Sequence, residues 1–236
     1  MIPDLIGPLR VHALGGSDGR GGGDGPAVLL CHGFGAPGED LVALARVIDA
    51  GPKARWFFPE APLGLPWGGR AWWPIDLERI AALQRRGDQR ALADETPDGM
   101  APAREALEAT LAALEAERGV TRDRLVIGGF SQGAMITTEI ALHAERPFVG
   151  LAGISGNLLS RDRWTAAARV SGPSIHAFLA HGKQDPVLPF AGAEALRSLL
   201  EAAGASVSWV AHGGQHEIPP PVVAGLGAFA RRRFEG

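Results

Sequence analysis

The sequence predicts an α/β fold with a mostly parallel central sheet that carries helices on both faces. Short apolar runs of strand length alternate with stretches of helical periodicity along the 236 residues, which is typical of β-α-β units. Several runs, among them residues 27–32 and 125–130, are apolar almost throughout, as expected for parallel strands buried on both faces. With 46% hydrophobic and 21% charged residues the chain has an ordinary globular composition, and a single domain over residues 1–236 is expected.

The same patterns locate the individual elements. Strands are predicted at residues 10–13, 27–32, 56–59, 125–130, 150–155, 175–181 and 207–211. Helices are predicted at residues 41–48, 77–86, 102–118, 132–144, 191–203 and 222–233. The helix at 102–118 is the clearest, because its leucines recur at helical spacing and Gly119 can take the left-handed conformation that ends a helix.

Two segments are irregular. The glycine-rich residues 15–25 lead into a strand, whereas a phosphate-binding loop needs a helix behind it, so a flexible connection between strands is predicted. Residues 60–100 combine prolines, glycines and tryptophans between a strand and the next long helix. They are expected to form a short cap-like insertion over a pocket.

Composition excludes several classes of protein. The 23 basic and 26 acidic residues leave no positive excess, so nucleic acid is not an expected partner. A single cysteine, Cys31, excludes an intrachain disulfide and a zinc site with several thiolates. The chain has two lysines and no tyrosine, which excludes a tyrosine–lysine dehydrogenase site. The first residues lack a secretory signal pattern and no apolar run could span a bilayer, so we expect a cytoplasmic protein without stable membrane insertion.

The most informative motif is Gly-Phe-Ser-Gln-Gly at residues 129–133. An apolar strand runs into it and a helical pattern follows, which is typical of a nucleophile elbow. The tight turn lifts the serine above the sheet, and the positions two before and two after it tolerate little side chain. Gly-x-Ser-x-Gly by itself arises by chance in a chain with 33 glycines, so the strand and helix around it make the motif specific. Ser131 is the candidate nucleophile.

A serine hydroxyl needs a base to accept its proton and an acid to orient that base. In hydrolases with such an elbow the chain order is serine, acid, histidine. Asp185 lies in the loop after the predicted strand at 175–181, and His216 lies in a glycine-containing loop after the last strand. Both loops follow the carboxyl ends of strands, as Ser131 does. Asp185 and His216 are therefore the candidate acid and base.

Other residues in these loops compete for the same roles. His212 abuts its strand and is expected to be capped or partly buried, and Glu217 is expected to be solvated. Zinc binding by His212, His216 and Glu217 would need a helix that two intervening glycines disfavour, so no metal is expected. His181 could compete for Asp185, although a structural role at a strand end is favoured.

Attack by Ser131 would create an oxyanion, which requires preorganised N–H donors. The backbone of Gln132 offers one donor at the start of a helix. The segment His-Gly-Phe-Gly at residues 32–35 follows an apolar strand, and its glycines allow a turn that aims the N–H of Phe34 into the same site. Cys31, which closes that strand, is expected to be a small buried hydrophobic residue.

With these motifs assembled, the chain resembles the α/β-hydrolase superfamily and, within it, the bacterial carboxylesterase/phospholipase family that includes the acyl-protein thioesterases. The matching motifs are His-Gly-Phe-Gly at 32–35, Gly-Gly-Phe-Ser-Gln-Gly at 128–133, His-Gly-x-x-Asp-Pro-Val-Leu-Pro at 181–189 and Gly-x-x-His at 213–216. Residues 70–76 also resemble that family's Arg-Ala-Trp segment beside the acyl pocket. The resemblance implies that Trp72 and Trp73 contact substrate; packing of the loop is the alternative.

The combined motifs predict a serine carboxylesterase that hydrolyses short- to medium-chain esters without a cofactor. A lysophospholipase, an acyl(-protein) thioesterase and a non-catalytic ligand-binding hydrolase fold are the alternatives. The resemblance allows a monomer or a homodimer. Two departures from the thioesterases stand out: residues 77–99 are long and charged, and the elbow helix continues with Ala134 and Met135 rather than another glycine. Association of residues 77–90 with a membrane surface is less favoured, because the charges there have mixed signs.

Overall fold

The computed structural model describes residues 2–86 and 93–235. A nine-stranded sheet forms its centre, in the order β1-β2-β5-β4-β8-β9-β10-β11, with β3 beside β2. The strands are β1 Asp4–Ile6, β2 Leu9–Gly16, β3 Arg20–Gly22, β4 Ala27–Cys31, β5 Arg55–Pro59, β8 Leu125–Phe130, β9 Gly150–Ile154, β10 His176–Gly182 and β11 Ser206–His212. From β5 to β11 every pairing is parallel, while β2 runs antiparallel to β1 and β5.

Helices cover both faces of this sheet. Those within the described residues are α1 Leu77–Arg85, α2 Met100–Arg118, α3 Gln132–Leu142, α4 Arg161–Ser171, α5 Phe190–Ala202 and α6 Pro220–Glu235. One apolar cluster packs helices α2, α3, α4 and α5 against one face of the sheet. A second cluster packs α6 and residues 41–50 against the opposite face. Successive residues of β4 alternate between the clusters, Leu29 in the first and Val28 and Leu30 in the second. This two-sided burial explains the continuous apolar runs and confirms the predicted fold class.

Every predicted strand is present, and its ends differ from the predicted ones by at most three residues. The helix predicted at 41–48 is wrong: the segment holds only a short 3-10 helix, Val42–Arg46, which buries none of its own residues. Helix α4 was not predicted because only Trp164 and Ala168 of its side chains are buried, too few for a visible period. The strands β1 and β3 escaped prediction because each has three residues.

Residues 60–100 contain a small hairpin, β6 Leu63–Gly64 with β7 Arg70–Ala71, followed by α1. Residues 87–92 lie outside the described part of the chain, so the predicted charged loop at 77–99 and the surface segment at 77–90 are described only in part. The cap role of this insertion and the single-domain organisation stay predictions. No helix within the described residues has the length and hydrophobicity to cross a membrane.

Candidate active site

Ser131 occupies the sharp turn between β8 and α3. Its backbone has φ 55° and ψ −120°, a positive-φ conformation that residues other than glycine rarely adopt. The Ser131 N–H donates to the Ile154 carbonyl at 2.9 Å, which fastens the turn to the neighbouring strand. Such strain costs about 1–3 kcal/mol and persists only where the surrounding structure enforces it. Strand, strained serine and helix thus follow one another as in a nucleophile elbow.

The motif glycines allow this turn to pack against the end of β4. A Cβ on Gly129 would lie 2.5 Å from the carbonyl oxygen of Cys31, and a Cβ on Gly133 would overlap the same oxygen. A third glycine matters nearby: a Cβ on Gly33 would lie 3.2 Å from the Cβ of Ser131. The loop after β4 therefore runs directly beside Ser131.

Two backbone N–H groups next to this turn are candidate oxyanion donors: that of Gln132, which follows Ser131, and that of Phe34, which follows Gly33. Within the described residues, neither the N–H of Gln132 nor that of Phe34 donates a hydrogen bond to another group. Gln132 opens α3, where the first N–H groups of a helix have no partner inside the helix. The Phe34 ring is partly exposed and meets the exposed Trp67 edge-on, with 6.5 Å between ring centroids. This arrangement is compatible with an oxyanion site formed by Phe34 and Gln132.

The carboxyl ends of β10 and β11 hold an aspartate–histidine pair. His216 Nδ1 lies 2.7 Å from Asp185 Oδ2. Since a carboxylate only accepts, Nδ1 carries the proton and Nε2 is left as the basic nitrogen. The His216 ring packs on Phe130, the residue before Ser131, with 4.7 Å between ring centroids. In the described residues, however, the Ser131 hydroxyl forms no hydrogen bond, either with His216 or with another group.

The structure thus gathers the three residues at one edge of the sheet and forms one of the two expected hydrogen bonds. Ser131 follows β8, Asp185 follows β10 and His216 follows β11. Catalytic hydrogen bonds are often long before substrate binds and tighten afterwards. The His216 ring contacts Phe130, the chain neighbour of Ser131, so the histidine lies beside the turn that carries the serine.

Backbone contacts bring the loops of Asp185 and His216 together. The Lys183 N–H donates to the His212 carbonyl at 2.8 Å, and the Gln184 N–H donates to the Gly214 carbonyl at 3.1 Å. A Cβ on Gly182 would overlap the carbonyl oxygen of Gln215, so glycine is needed where the two loops cross. The parallel register of β10 and β11 continues into these contacts. Asp185 and His216 are therefore placed by backbone and not only by their own side chains.

The Asp185 side chain is fully buried and yet remains ionised at neutral pH. Burial raises the pKa of its carboxyl, but hydrogen bonds from His181, His216 and the Leu188 N–H outweigh burial and hold the pKa well below its usual range. Oδ1 accepts the Val187 and Leu188 N–H groups at 2.8 and 2.9 Å. The loop after β10 is thus folded around a carboxylate.

His32 holds the loop beside Ser131, residues 32–35, in place through hydrogen bonds. Its Nδ1 donates to the Gly33 carbonyl at 2.8 Å, and its Nε2 accepts the Ala61 N–H at 3.0 Å, so its tautomer is fixed. Its own carbonyl accepts the indole N–H of Trp72 at 3.0 Å. Burial lowers the pKa of His32, and the hydrogen bond to Gly33 offsets this only in part. His32 thereby ties two other segments, at Ala61 and at Trp72, to the candidate oxyanion loop.

The Gln132 side chain holds the tryptophan segment against the elbow. Its Oε1 accepts the Trp72 N–H at 2.8 Å, and its Nε2 donates to the Trp73 carbonyl at 2.8 Å. Gln132 and Trp72 are fully buried and Trp73 is 3% exposed. These contacts give both tryptophans a packing role, and their contact with substrate stays a prediction.

A family model described as phospholipase/carboxylesterase matches residues 23–231. The chain belongs to the phospholipase/carboxylesterase family. It is therefore a carboxylic ester hydrolase. Its curated relatives include acyl-protein thioesterase 1 of Yarrowia lipolytica, 28% identical over 171 residues that cover 69% of this chain and 70% of the relative. Acyl-protein thioesterase 1 of Neurospora crassa is 29% identical over 200 residues, 79% of this chain and 78% of the relative.

Solved structures agree with this family assignment. The crystal structure of esterase PE8 superposes with a TM-score of 0.77 at 28% identity, and the match covers 97% of this chain and 99% of that one. The carboxylesterase of Bacillus cereus gives a TM-score of 0.72 at 22% identity over 96% and 95% of the two chains. The second likeness is one of fold alone.

Of the competing residues, His212 and Glu217 take no part in the aspartate–histidine pair, whereas His181 Nε2 lies 3.2 Å from Asp185 Oδ2. His212 is 8% exposed, and its Nδ1 accepts the Gly214 N–H at 3.2 Å. Glu217 is exposed and accepts the Gln215 N–H at 3.1 Å. In the described part of the chain, no group of three or more histidine, cysteine, aspartate or glutamate side chains is arranged to hold a metal ion.

Two supporting roles were missed from the sequence. Nothing in the sequence linked the Gln132 side chain to the tryptophan segment, because the partners are 60 residues apart and a polar side chain one position after the serine carries no periodic signal. His32 stood in a recognised motif, but its bond to Ala61 depends on how β4 and β5 lie side by side. For both roles, the sequence shows only a polar residue at the end of an apolar run, next to a glycine turn.

Proposed function

We propose that this hydrolase is a serine carboxylesterase that cleaves short- to medium-chain carboxylic esters through an acyl-enzyme. Ser131 is the nucleophile, His216 the base and Asp185 the acid that orients it. The observation that carries the proposal is the 2.7 Å contact between His216 Nδ1 and Asp185 Oδ2, which directs the free Nε2 away from the carboxylate. The strained turn at Ser131, beside the ring that packs on His216, adds support.

The reaction uses these groups in two balanced steps. The Ser131 hydroxyl transfers its proton to His216 Nε2 as its oxygen bonds to the ester carbonyl carbon, and the carbonyl oxygen becomes an oxyanion. The N–H groups of Phe34 and Gln132 stabilise that charge. The carbon–oxygen bond to the alcohol then breaks, and the alcohol leaves with the proton from His216. Water gives a proton to His216 as its oxygen attacks the acyl carbon. The bond from that carbon to Ser131 Oγ then breaks, and Oγ takes the proton back from His216, which releases the acid and restores Ser131.

Removal of the nucleophile tests this mechanism. We expect Ser131→Ala to abolish hydrolysis of a short-chain chromogenic ester and covalent labelling by a fluorophosphonate. The thermal midpoint should stay close to that of the wild type, because alanine carries the same backbone strain at this φ as serine does. Ser155→Ala is the matched control, since Ser155 is also buried, follows the adjacent strand and has φ 51°. That control should keep the label. Labelling of folded Ser131→Ala would contradict the proposal by showing that another residue is the nucleophile. An unlabelled wild type would contradict it in favour of a binding module.

A second candidate function differs from the first in the acyl and leaving groups of the substrate. The curated relatives are named acyl-protein thioesterases and the family description includes phospholipases, which supports thioesters or lysophospholipids as alternative substrates. The partly exposed ring of Phe34 and the exposed ring of Trp67, which meet beside the candidate oxyanion loop, favour an apolar acyl chain. We expect kcat/KM to rank an oxygen ester above the thioester and the lysophospholipid of the same acyl length. Higher kcat/KM on the thioester would assign the enzyme to the second class.

A small-molecule ester as partner, a cytoplasmic location and a monomer or homodimer stay predictions. The ester substrate follows from the proposed reaction, the location from the sequence pattern, and the monomer or homodimer from the family resemblance. The cap role of residues 60–100 belongs with them.

A further inference from the structure

The candidate acid, Asp185, contacts two imidazoles. Besides His216, the Nε2 of His181 lies 3.2 Å from Asp185 Oδ2 and 2.9 Å from the Leu188 carbonyl oxygen. His181 is fully buried at the end of β10, four residues before Asp185. Its ring lies edge-on to the Phe190 ring, with 6.1 Å between centroids. The proposed mechanism makes no use of this histidine.

The contacts of His181 determine its tautomer. A carbonyl oxygen only accepts, so the Nε2 that approaches Leu188 must carry the proton, and the same nitrogen lies 3.2 Å from Asp185 Oδ2. The Nδ1 of His181 is buried without a hydrogen-bond partner in the described residues. His181 therefore acts as a donor through Nε2 alone.

Asp185 Oδ2 is consequently shared between two ring N–H donors, while two backbone N–H groups occupy Oδ1. Each donor draws charge from the carboxylate, and charge-assisted hydrogen bonds of this kind are the strong ones. Because one imidazole N–H partly neutralises the charge of the carboxylate, the carboxylate attracts the other imidazole less strongly. The contact is thus placed to weaken the attraction between Asp185 and a protonated His216.

We propose that His181 is a positioning residue of the catalytic triad, fixing the Asp185 carboxylate and limiting how strongly it stabilises protonated His216. The proposal rests on the proposed function for its kinetic consequence, but the shared Oδ2 is a separate structural claim. It accounts for a buried histidine whose donor nitrogen faces the acid. A packing role alone would require only the ring contact with Phe190.

Few other charged groups adjoin this cluster. Strand β9, on one side of β10, contributes no titratable side chain. On the other side, His212 and Glu217 accept backbone N–H groups of their own loop, and Lys183 is exposed. On α5, Glu194 is exposed and Arg197 pairs with Glu201 at 2.8 Å. Asp185 is therefore the ionisable group that the His181 N–H contacts in the described residues, and His216 is reached only through that carboxylate.

The first experiment uses the wild-type protein. In protein with ¹⁵N-labelled histidine rings, we expect His181 to keep the Nε2–H tautomer throughout the titration of His216. Its Nε2–H proton should shift with the same midpoint as His216, because both donate to one oxygen. An Nδ1–H tautomer, or a His181 resonance indifferent to the His216 titration, would overturn the proposal whether or not the protein hydrolyses esters.

The second experiment compares two amides. The Nε2 of glutamine can replace the Nε2–H of histidine, whereas the shorter asparagine carries its donor at the position of Nδ1 and cannot reach Asp185. In His181→Asn we expect the acid limb of the kcat/KM profile to move to higher pH by about half a unit or more, since the freed carboxylate stabilises protonated His216. kcat should fall about tenfold, the loss of one charge-assisted hydrogen bond, with KM little changed.

His181→Gln should bring the acid limb and kcat back to the wild-type values. If His181→Asn is folded and its acid limb coincides with that of the wild type, or if His181→Gln shifts like His181→Asn, the proposal is wrong. Should His181→Asn fail to fold, the wild-type ring titration decides. A wild type without esterase activity refutes the proposed function and leaves the shared carboxylate to be judged by that titration alone.

Discussion

Gln132 illustrates how one residue combines two separate tasks. Its backbone N–H, which begins α3 and has no acceptor among the described residues, is the proposed oxyanion donor, while its side chain bonds the Trp72 N–H and the Trp73 carbonyl. The backbone task tolerates any side chain, but the side-chain task requires both an acceptor and a donor. The choice of glutamine at this position therefore follows from the Trp72–Trp73 segment and not from the chemistry at Ser131.

Truncation of this side chain should destabilise the protein. In Gln132→Ala, the Trp72 N–H and the Trp73 carbonyl lose their partners in a buried place, and each unpaired group costs about 1–3 kcal/mol. We expect the free energy of unfolding in urea to fall by about 2–4 kcal/mol. Gln184→Ala, on an exposed side chain, is the control and should change it by less than about 0.5 kcal/mol. Equal unfolding free energies of the two variants would show that the two hydrogen bonds of the Gln132 side chain do not stabilise the fold.

At the scale of elements, the sequence predicts most of what places the site. The apolar runs that become β8, β10 and β11 are visible because burial on both faces removes polar residues from them, and the loops after them carry Ser131, Asp185 and His216. Parallel strands have their carboxyl ends at one edge, so convergence of the three loops follows from the strand pattern. Local sequence and sheet direction suffice for that step.

The sequence patterns do not predict the contacts between elements. The bond between His181 and Asp185 depends on how residues 182–188 fold back around the carboxylate, which backbone N–H groups of that loop decide. The short strands of the hairpin β6–β7 and the helix α4 lack enough buried side chains to produce a period. Such features depend on packing with distant segments, and composition alone does not encode them.

At the scale of the whole molecule, the sheet separates stability from function. Two apolar clusters clamp its faces, while the candidate site lies on loops at one edge, outside both clusters except for residues such as Trp72 and Trp73. A buried carboxylate in one of those loops nonetheless links the site to global stability. Asp185 has no exposed side-chain surface, and its charge is compensated only by the donors around it.

Acid should therefore destabilise the fold partly through Asp185. Its pKa in the folded protein is held below the value of 3.8 for a free aspartate, with burial opposing and the donors of His181, His216 and Leu188 prevailing. A depressed folded pKa gives stability that is complete above the unfolded value and is lost as pH falls through the folded one. We expect the contribution of the Asp185 charge to the difference in unfolding free energy between wild type and Asp185→Asn to be complete at pH 5 and to shrink steadily below pH 3.8. The exposed Asp123→Asn is the control, and its difference from wild type should vary less over the same range. A difference for Asp185→Asn that stays constant down to pH 2.5, about 1.3 units below the free value, would mean that the donors around the carboxylate do not stabilise its charged form.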